Sequence, residues 1–297
     1  MQPYEFPFER FGGRERLERI RAAAVGQPTP CLYIDLDLVE AQYRRMRTAL
    51  PYADVYYAVK ANPMREVLEL LVGLGSSFDI ASRYELDLVL SLGVDPNRIS
   101  FGNTIKKRVD IAYAFERGVR LFACDAEEDV KNLAEYAPGS RVFFRVFTQG
   151  TGSDWPLSRK FGAHPDMIFD MARMAADLGL EPYGISFHVG SQQRDIGEWD
   201  DALARTKQLF DELATNGIEL GMINLGGGFP ADYLDPTHPI EVYAQEITRY
   251  IQDRFGDNVP RVIAEPGRYL VADSGTLVSE VVLVSKKARN NLYRWVY

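Results

Sequence analysis

The chain has 297 residues, of which 46% are hydrophobic and 26% charged, as expected for a folded globular protein of one or two domains. Its formal net charge of −8 excludes the basic surface by which nucleic-acid-binding proteins neutralise phosphates. No basic and apolar leader begins the sequence and no run of apolar residues is long enough to cross a membrane, so we expect a cytoplasmic protein without nucleic-acid or membrane partners. Cys31 and Cys124 are expected to be reduced, and no Cys/His spacing indicates a metal site.

Apolar runs alternate with segments of helical period along most of the chain, a pattern typical of parallel strands joined by helices. A first strand is predicted at 31–36 and a helix near 37–50. Eight further strands are predicted at 55–59, 77–81, 98–102, 120–124, 141–147, 182–189, 221–225 and 261–265. Several helical segments end in Gly, which suits a helix C-terminus. Eight strand–helix units over roughly 230 residues favour a TIM-like (β/α)8 barrel over an open doubly wound sheet.

The pattern divides the chain into an N-terminal segment (1–30), a barrel (31–267) and the beginning of a C-terminal β domain (268–297). Residues from about 268 alternate β-branched and polar side chains without a helix between them, which is typical of an antiparallel sheet. The sequence stops at Tyr297 without a closing turn. We therefore expect the chain to be a fragment that lacks the rest of this second domain.

The first of the eight predicted barrel strands ends at Lys60, in the stretch YYAVKANP. Barrel enzymes place their active sites at the C-terminal ends of the strands. A lysine at such a position is commonly a solvated surface charge, but Asn62-Pro63 enforces an immediate turn after a buried strand. Partial burial would lower the pKa of the amine, which suits imine chemistry.

The sixth strand leads into FHVGSQ, which places His188 and Ser191 at the same rim. A lone histidine is often a satisfied core or surface residue, but its position at the rim favours a role in the site. The two other histidines, His164 and His238, stand next to prolines in predicted loops or caps.

The seventh and eighth strands lead into NLGGGFP and AEPGRYL. The consecutive glycines 226–228 could be a flexible turn, or could let backbone N–H groups approach an anion. The dinucleotide spacing G-x-G-x-x-G is absent. Glu265 and Arg268 could form a surface ion pair, but arginine also suits phosphate recognition, and barrels often bind phosphate after strands seven and eight.

Pyridoxal 5′-phosphate requires four kinds of group in its binding site. These are an amine able to form an imine, a phosphate cradle, a rim histidine and an acid able to keep a ring nitrogen protonated. The strings YAVKANP, FDIAS, FHVGSQ, GGGF and EPGRYLVA, in this order, resemble the barrel-type (fold type III) pyridoxal-phosphate decarboxylases, the group of ornithine and diaminopimelate decarboxylases. The resemblance runs from about residue 30 to the last residue.

By this resemblance, Lys60 would hold the cofactor covalently, His188 would stack on its ring and Glu265 would pair with the ring nitrogen. The residues expected to bind the phosphate are Ser191, Gly226, Gly227, Gly228, Gly267 and Arg268. Asp79 and Arg145 match further positions near the cofactor, as does Glu85. A racemase on a similar barrel has arginine at the ring nitrogen, so an acid there favours decarboxylation.

Within the group, GGGF and Tyr269 are similar to the ornithine branch, and residues 150–162 are similar to bacterial ornithine and lysine decarboxylases. The resemblance therefore implies decarboxylation of L-ornithine to putrescine, with lysine, giving cadaverine, or diaminopimelate as alternatives. A racemase, and a non-catalytic cofactor carrier or regulatory homologue, remain other possibilities.

The family places a Cys-Asp motif and a phosphate-contacting Tyr in its C-terminal domain, where the Cys and Asp act on the partner's site across a dimer interface. The chain ends before these motifs, and neither Cys31 nor Cys124 lies where that cysteine would be. We therefore expect a homodimer for the intact enzyme, and little or no activity for this chain alone.

Overall fold

The computed structural model describes residues 13–297, except 158, 159, 234 and 291. It confirms the barrel: eight parallel strands form a closed sheet. The strands of the described residues are β1 (Cys31–Ile34), β2 (Ala53–Ala58), β3 (Ser77–Ile80), β4 (Ile99–Phe101), β5 (Leu121–Cys124), β6 (Arg141–Arg145), β7 (Ser153–Trp155), β8 (Glu181–Ser186), β9 (Ser191–Gln193), β10 (Met222–Asn224), β11 (Arg261–Ala264), β12 (Gly275–Val278), β13 (Val284–Ser285) and β14 (Trp295–Val296). The barrel closes in the order β10-β11-β2-β3-β4-β5-β6-β8.

Each of the eight predicted barrel strands overlaps one observed barrel strand. The α-helices are α1 (Gly13–Ala24), α2 (Leu36–Ala49), α3 (Arg65–Gly73), α4 (Arg83–Ser91), α5 (Arg108–Glu116), α6 (Glu127–Tyr136), α7 (Pro165–Asp177), α8 (Gly197–Thr215), α9 (Ile240–Phe255) and α10 (Arg268–Val271). Local sequence explains where several begin and end. Asp35 caps α2 and Ser82 caps α4 through side-chain oxygens, and Gly93 follows α4 at a φ of 79° that favours glycine.

The barrel interior is filled by side chains, so the barrel is not a pore. On β2, Tyr56 packs with Phe143, Met222 and Ile263 of three other barrel strands, whereas Tyr57 belongs to the larger core beneath the helices. This alternation is the two-residue period of a strand whose faces are both buried. The packed interior leaves the C-terminal ends of the strands as the place for a cavity.

The first predicted strand lies outside the barrel. β1 pairs antiparallel with β12, from Cys31 opposite Val278 to Ile34 opposite Gly275. The expectation of strand from residue 268 onward, with no helix, was wrong for its first residues: α10 and a 3-10 helix at Ala272–Ser274 precede β12. Tyr269 is buried, and its hydroxyl donates to Gln42 Oε1 of α2 at 3.1 Å, so tertiary packing overrides the β-branched pattern.

Smaller elements surround this frame. α1 is fastened by Arg16, whose guanidinium donates to Asp35 Oδ2 at 3.0 Å and to Ser274 O at 2.7 Å. β7 pairs with β9 and β13 with β14, both antiparallel. Cys31 and Cys124 are free thiols. Within the described ranges, no helix has the length and apolar character needed to cross a bilayer, and no group of acidic, His or Cys side chains is arranged to hold a metal ion.

Candidate active site

Lys60 lies in a 3-10 turn, Val59–Ala61, directly after β2. Its Nζ donates to Asp79 Oδ2 at 2.8 Å, and 57% of its side-chain surface is exposed where it lines a cavity. Asp79 on β3 is buried, with 1% of its surface exposed. A Cβ at residue 102 would lie 2.0 Å from Asp79 Oδ1, so Gly102 leaves the space that this carboxylate occupies. Neighbouring strand ends thus hold the amine from one side and leave its other side open.

The expected direction of the Lys60 pKa was wrong for the ligand-free protein. Burial lowers it, but the negative charges of Asp79 and Glu265, with the hydrogen bond to Asp79, outweigh burial and raise the pKa of Lys60 above its ordinary value. The sequence showed the buried strand before the lysine, but not the two carboxylates that the barrel brings to it. The amine is therefore a cation held in place until a ligand reaches it.

Glu265 follows β11 and lies on the other side of the same cavity. Its Oε1 accepts a hydrogen bond of 2.6 Å from Asn224 Nδ2, and its backbone N–H donates to Gly226 O at 2.8 Å. Burial, and next the charge of Asp79, raise the pKa of Glu265 to about 7, while Lys60 and Asn224 act in the opposite sense. Near neutral pH this carboxyl can exist in either protonation state.

His188 follows β8, and its ring is neutral. Burial, with the nearby cations Arg145 and Lys60, lowers the pKa of His188 to about 3. Its Nδ1 accepts the backbone N–H of Gly190 at 3.1 Å, which fixes the proton on Nε2. Thr148 donates to His188 O at 2.6 Å and holds the backbone. The site therefore has an uncharged aromatic ring of fixed tautomer.

The glycine turn after β10 is built for close backbone approach. A Cβ on Gly227 would lie 2.8 Å from Glu265 O, and one on Gly228, whose φ is +101°, would lie 2.5 Å from Gly190 O. The N–H groups of Gly227 and Gly228 donate to no described residue, and both glycines line the cavity. The N–H of Gly226 is different, because it donates to Asn224 Oδ1 at 2.9 Å and Gly226 does not line the cavity.

Arg268 begins α10, and polar and aromatic groups hold it without an acid. Its guanidinium donates to Ser191 Oγ at 3.3 Å and to Tyr233 Oη at 2.9 Å, and its Cζ lies 5.0 Å from the centre of the Trp155 ring. It makes no ion pair with a described carboxylate. Gly267 before it packs so closely that a Cβ would lie 2.9 Å from Ala61 Cβ. A guanidinium without a described carboxylate in ion-pair contact, beside free backbone N–H groups, is suited to an anion.

Arg145 is the last residue of β6. Its guanidinium lies 4.8 Å from the centre of the Phe161 ring, and burial lowers the pKa of Arg145 despite nearby carboxylates. Glu85, predicted near the site, accepts the Ala81 N–H at 2.6 Å and stabilises the start of α4. Its place beside Asp79 is thus partly structural.

Two adjoining cavities meet at Lys60, His188 and Glu265, which line both. The larger, about 540 Å³, extends over the glycine turn towards Ser191, Gly267 and Arg268. The smaller, about 240 Å³, extends towards Arg145 and Phe161. The structure therefore brings the predicted lysine, histidine, acid and anion-binding groups together at one end of the barrel. Asp79 lines neither cavity but accepts a hydrogen bond from Lys60 Nζ. His164 and His238 also line neither cavity.

Sequence reasoning missed four contributors: Asn224, Gly102, Tyr233 and Trp155. Asn224 lies inside a predicted strand and Gly102 at the end of another, so the strand pattern predicts no role in the site for either. Asn224 is a fully buried amide next to the glycine run, and this polar residue at a strand end was the available signal. Tyr233 and Trp155 lie in loops, and no local pattern indicates that both meet Arg268.

The chain is similar to known proteins in sequence and in fold. Residues 36–272 match the family described as pyridoxal-dependent decarboxylase, pyridoxal binding domain. The chain is 36% identical over 266 residues to the lysine/ornithine decarboxylase of Selenomonas ruminantium, covering 89% of this chain and 67% of that protein. It is 35% identical over 277 residues to the ornithine decarboxylase of Schizosaccharomyces pombe, covering 92% and 62%.

Among solved structures, the lysine/ornithine decarboxylase of Vibrio vulnificus complexed with cadaverine is similar, with a TM-score of 0.87 and 28% identity. The match covers 96% of this chain and 75% of that one. The chain thus spans 62% to 75% of the length of these relatives.

Proposed function

The chain belongs to the pyridoxal-dependent decarboxylases, whose pyridoxal-binding domain it contains, and from this membership we propose that the protein decarboxylates a basic L-amino acid. The observation that supports this most strongly is the shared cavity. In it the Lys60 amine, held by Asp79 at 2.8 Å, faces Glu265, and the glycine turn and Arg268 lie at the far end. No single member of this set would indicate the reaction.

The residues present fit pyridoxal 5′-phosphate. Two backbone N–H groups, of Gly227 and Gly228, have no acceptor among the described residues, and Arg268 makes no ion pair with a described carboxylate. We propose that these groups bind the phosphate together with Ser191 and Gly267. A side chain at residue 227 or 228 would collide with backbone oxygens. A ligand at this end of the cavity would therefore contact the glycine backbone directly.

Each remaining residue has a task that follows from its surroundings. Lys60 would supply the amine that attaches the cofactor, and Asp79 holds this amine in place. Glu265 would keep a proton at the ring nitrogen of the cofactor through charge pairing. His188, being neutral, offers a flat face without adding a positive charge. The chemistry that pyridoxal phosphate supplies when bound is a sink for the electron pair left by the departing carboxylate.

For the substrate we propose L-ornithine, giving putrescine, ahead of L-lysine. The motif GGGF and Tyr269 support this order, and the similar proteins are named as acting on ornithine and lysine. Glu265 is the only carboxylate among the described residues lining either cavity. The acid that binds the distal amine would then come from beyond these residues, and we propose that a second copy in a homodimer provides it.

The test is release of carbon dioxide from carboxyl-labelled amino acids by the full-length protein with pyridoxal phosphate. We expect the highest kcat/KM for L-ornithine, a lower value for L-lysine and none for the Lys60→Ala variant. If the loaded protein releases no carbon dioxide from ornithine, lysine, arginine or diaminopimelate, it is not a decarboxylase of basic amino acids. A D-amino acid formed without gas would identify a racemase, and neither product would favour a non-catalytic homologue.

A further inference from the structure

Asn224 is the last residue of β10 and has no exposed surface. Its side chain makes two hydrogen bonds with different partners. Oδ1 accepts the backbone N–H of Gly226 at 2.9 Å, and Nδ2 donates to Glu265 Oε1 at 2.6 Å. A buried amide satisfied at both ends is a fixed element rather than a mobile one, since breaking either contact would leave a polar group unpaired.

The backbone settles which way this amide faces. Gly226 N–H can only donate, so the atom opposite it must be the amide oxygen. The amide nitrogen must then face Glu265, and Glu265 Oε1 must accept. The second oxygen of Glu265, Oε2, is left as the one that can hold or receive a proton.

We propose that Asn224 is a positioning residue that reserves Glu265 Oε1 as an acceptor, so that any proton exchanged between Glu265 and a ligand in the cavity is exchanged at Oε2. The inference rests on the proposed function, in which Glu265 meets the ring nitrogen of the cofactor. It also assigns a role to Gly226: its N–H orients Asn224 and does not bind phosphate.

The charged groups around Glu265 show why such a donor matters. Asp79 disfavours the carboxylate, whereas Lys60 and Arg145 favour it. Burial disfavours it further, so that the pKa of Glu265 is raised to about 7 even with Asn224 in place. A hydrogen bond donated to a carboxylate stabilises its charged form. Without Asn224, Glu265 would hold its proton more tightly at neutral pH and would pair less well with a protonated ring.

The first test needs no cofactor. The pKa of Glu265 is measured in the ligand-free protein by carbon-13 NMR of the labelled carboxyl, assigned by its loss in Glu265→Gln. We expect the pKa in Asn224→Ala to lie at least about one pH unit above that of the wild type. Asn224→Asp, nearly isosteric, should raise the higher pKa of the resulting acid pair as far or further, because two adjacent carboxylates cannot both ionise easily.

Thr206→Val serves as a control for buried hydrogen bonds, because Thr206 is fully buried on α8 and donates only to Ala202 O of the same helix. It should leave the pKa of Glu265 unchanged. If Asn224→Ala and Asn224→Asp both titrate at Glu265 as the wild type does, Asn224 does not set the state of this carboxyl and the proposal is wrong.

The second test separates this inference from the proposed function. Binding of pyridoxal phosphate is compared with that of its 1-deaza analogue, in which a carbon replaces the ring nitrogen. We expect Asn224→Ala to weaken binding of pyridoxal phosphate roughly tenfold and to leave the analogue almost unaffected. Equal loss for both ligands would contradict the proposal. Failure of the wild type to bind pyridoxal phosphate would instead count against the proposed function, and the NMR titration would still decide the role of Asn224.

Discussion

Two lysines lie at the C-terminal end of the barrel, and each is paired with an aspartate. Lys60 Nζ is 2.8 Å from Asp79 Oδ2, and Lys106 Nζ is 2.5 Å from Asp129 Oδ2. The pairs differ in what else surrounds the amine. Lys106 is fully buried and also donates to Ala123 O at 2.7 Å and Asn103 O at 3.1 Å, whereas 57% of the Lys60 side chain faces the cavity.

This difference separates a structural amine from a chemical one. Lys106 has three acceptors, which is all that an ammonium group can serve, and the pair fastens the segment after β4 to β5 and α6. Lys60 has one described acceptor, so two of its protons and the path of approach remain free. A buried lysine that is paired with an acid is therefore not necessarily reactive. Lys60 differs from Lys106 because part of its side chain faces an open cavity.

The largest expected effect is on activity. Lys60→Ala should lower kcat by at least about a thousandfold, because the attaching amine is lost and residual catalysis would depend on binding alone. Activity above a tenth of the wild-type value, in protein loaded with pyridoxal phosphate, would show that Lys60 is not the attaching residue.

Next in size is the effect of Lys106 on stability. Lys106→Met should lower the free energy of unfolding by about 3–5 kcal/mol, because it leaves the buried Asp129 without its partner. Adding Asp129→Leu should recover much of the loss, since apolar residues can replace a buried ion pair. Urea unfolding of the two single variants and the double variant measures this coupling. Additive losses in the double variant would mean that the pair is not one structural unit.

A smaller effect concerns pH and the acid that faces Lys60. The pKa of Glu265 is raised to about 7 by burial and Asp79, so the folded protein keeps a proton that the unfolded chain releases at lower pH. Glu265 therefore stabilises the ligand-free protein at low pH, and this contribution is lost as the pH rises towards 7. Compared with Glu265→Gln, the wild type should lose on the order of 2 kcal/mol between about pH 5 and pH 8. Parallel pH profiles in urea unfolding would contradict this.

The smallest expected effect concerns Arg268, a third cation at this end of the barrel. Its guanidinium contacts aromatic side chains and is not ion-paired with a described carboxylate. Trp155→Ala removes a ring 5.0 Å from the guanidinium and should weaken binding of pyridoxal phosphate by about two- to fivefold. Trp155→Phe should retain most of the affinity, and binding of pyridoxal, which has no phosphate, should not change. An equal loss for pyridoxal would place the effect elsewhere than at the phosphate.

The barrel could be predicted from sequence because each strand is a short apolar run bounded by turns, as SFDI and RVIA illustrate. Lys60, His188, Glu265 and Arg268 could be found because each follows such a run and therefore had to lie at one rim. The strand at Cys31–Ile34 has the same composition but pairs with β12 outside the barrel. It is also only partly buried, with Leu32 exposed. Composition therefore indicates a strand without indicating which sheet it joins or how deeply it is buried.

The properties that were missed depend on contacts between distant segments. The raised pKa of Lys60 comes from Asp79 and Glu265, which belong to two other strands. Asn224 meets Glu265 only because β10 and β11 are neighbours in register. The strand order and register that create these contacts are global results of closing the barrel, and no window of sequence contains them.

The most direct test of the account is to find which amine reacts. The wild-type protein is loaded with pyridoxal phosphate, reduced with borohydride and digested, and the labelled peptide is identified by mass spectrometry. We expect a single label on Lys60, and no specific label in Lys60→Ala. A label on Lys106, or an unchanged extent of labelling in Lys60→Ala, would contradict it.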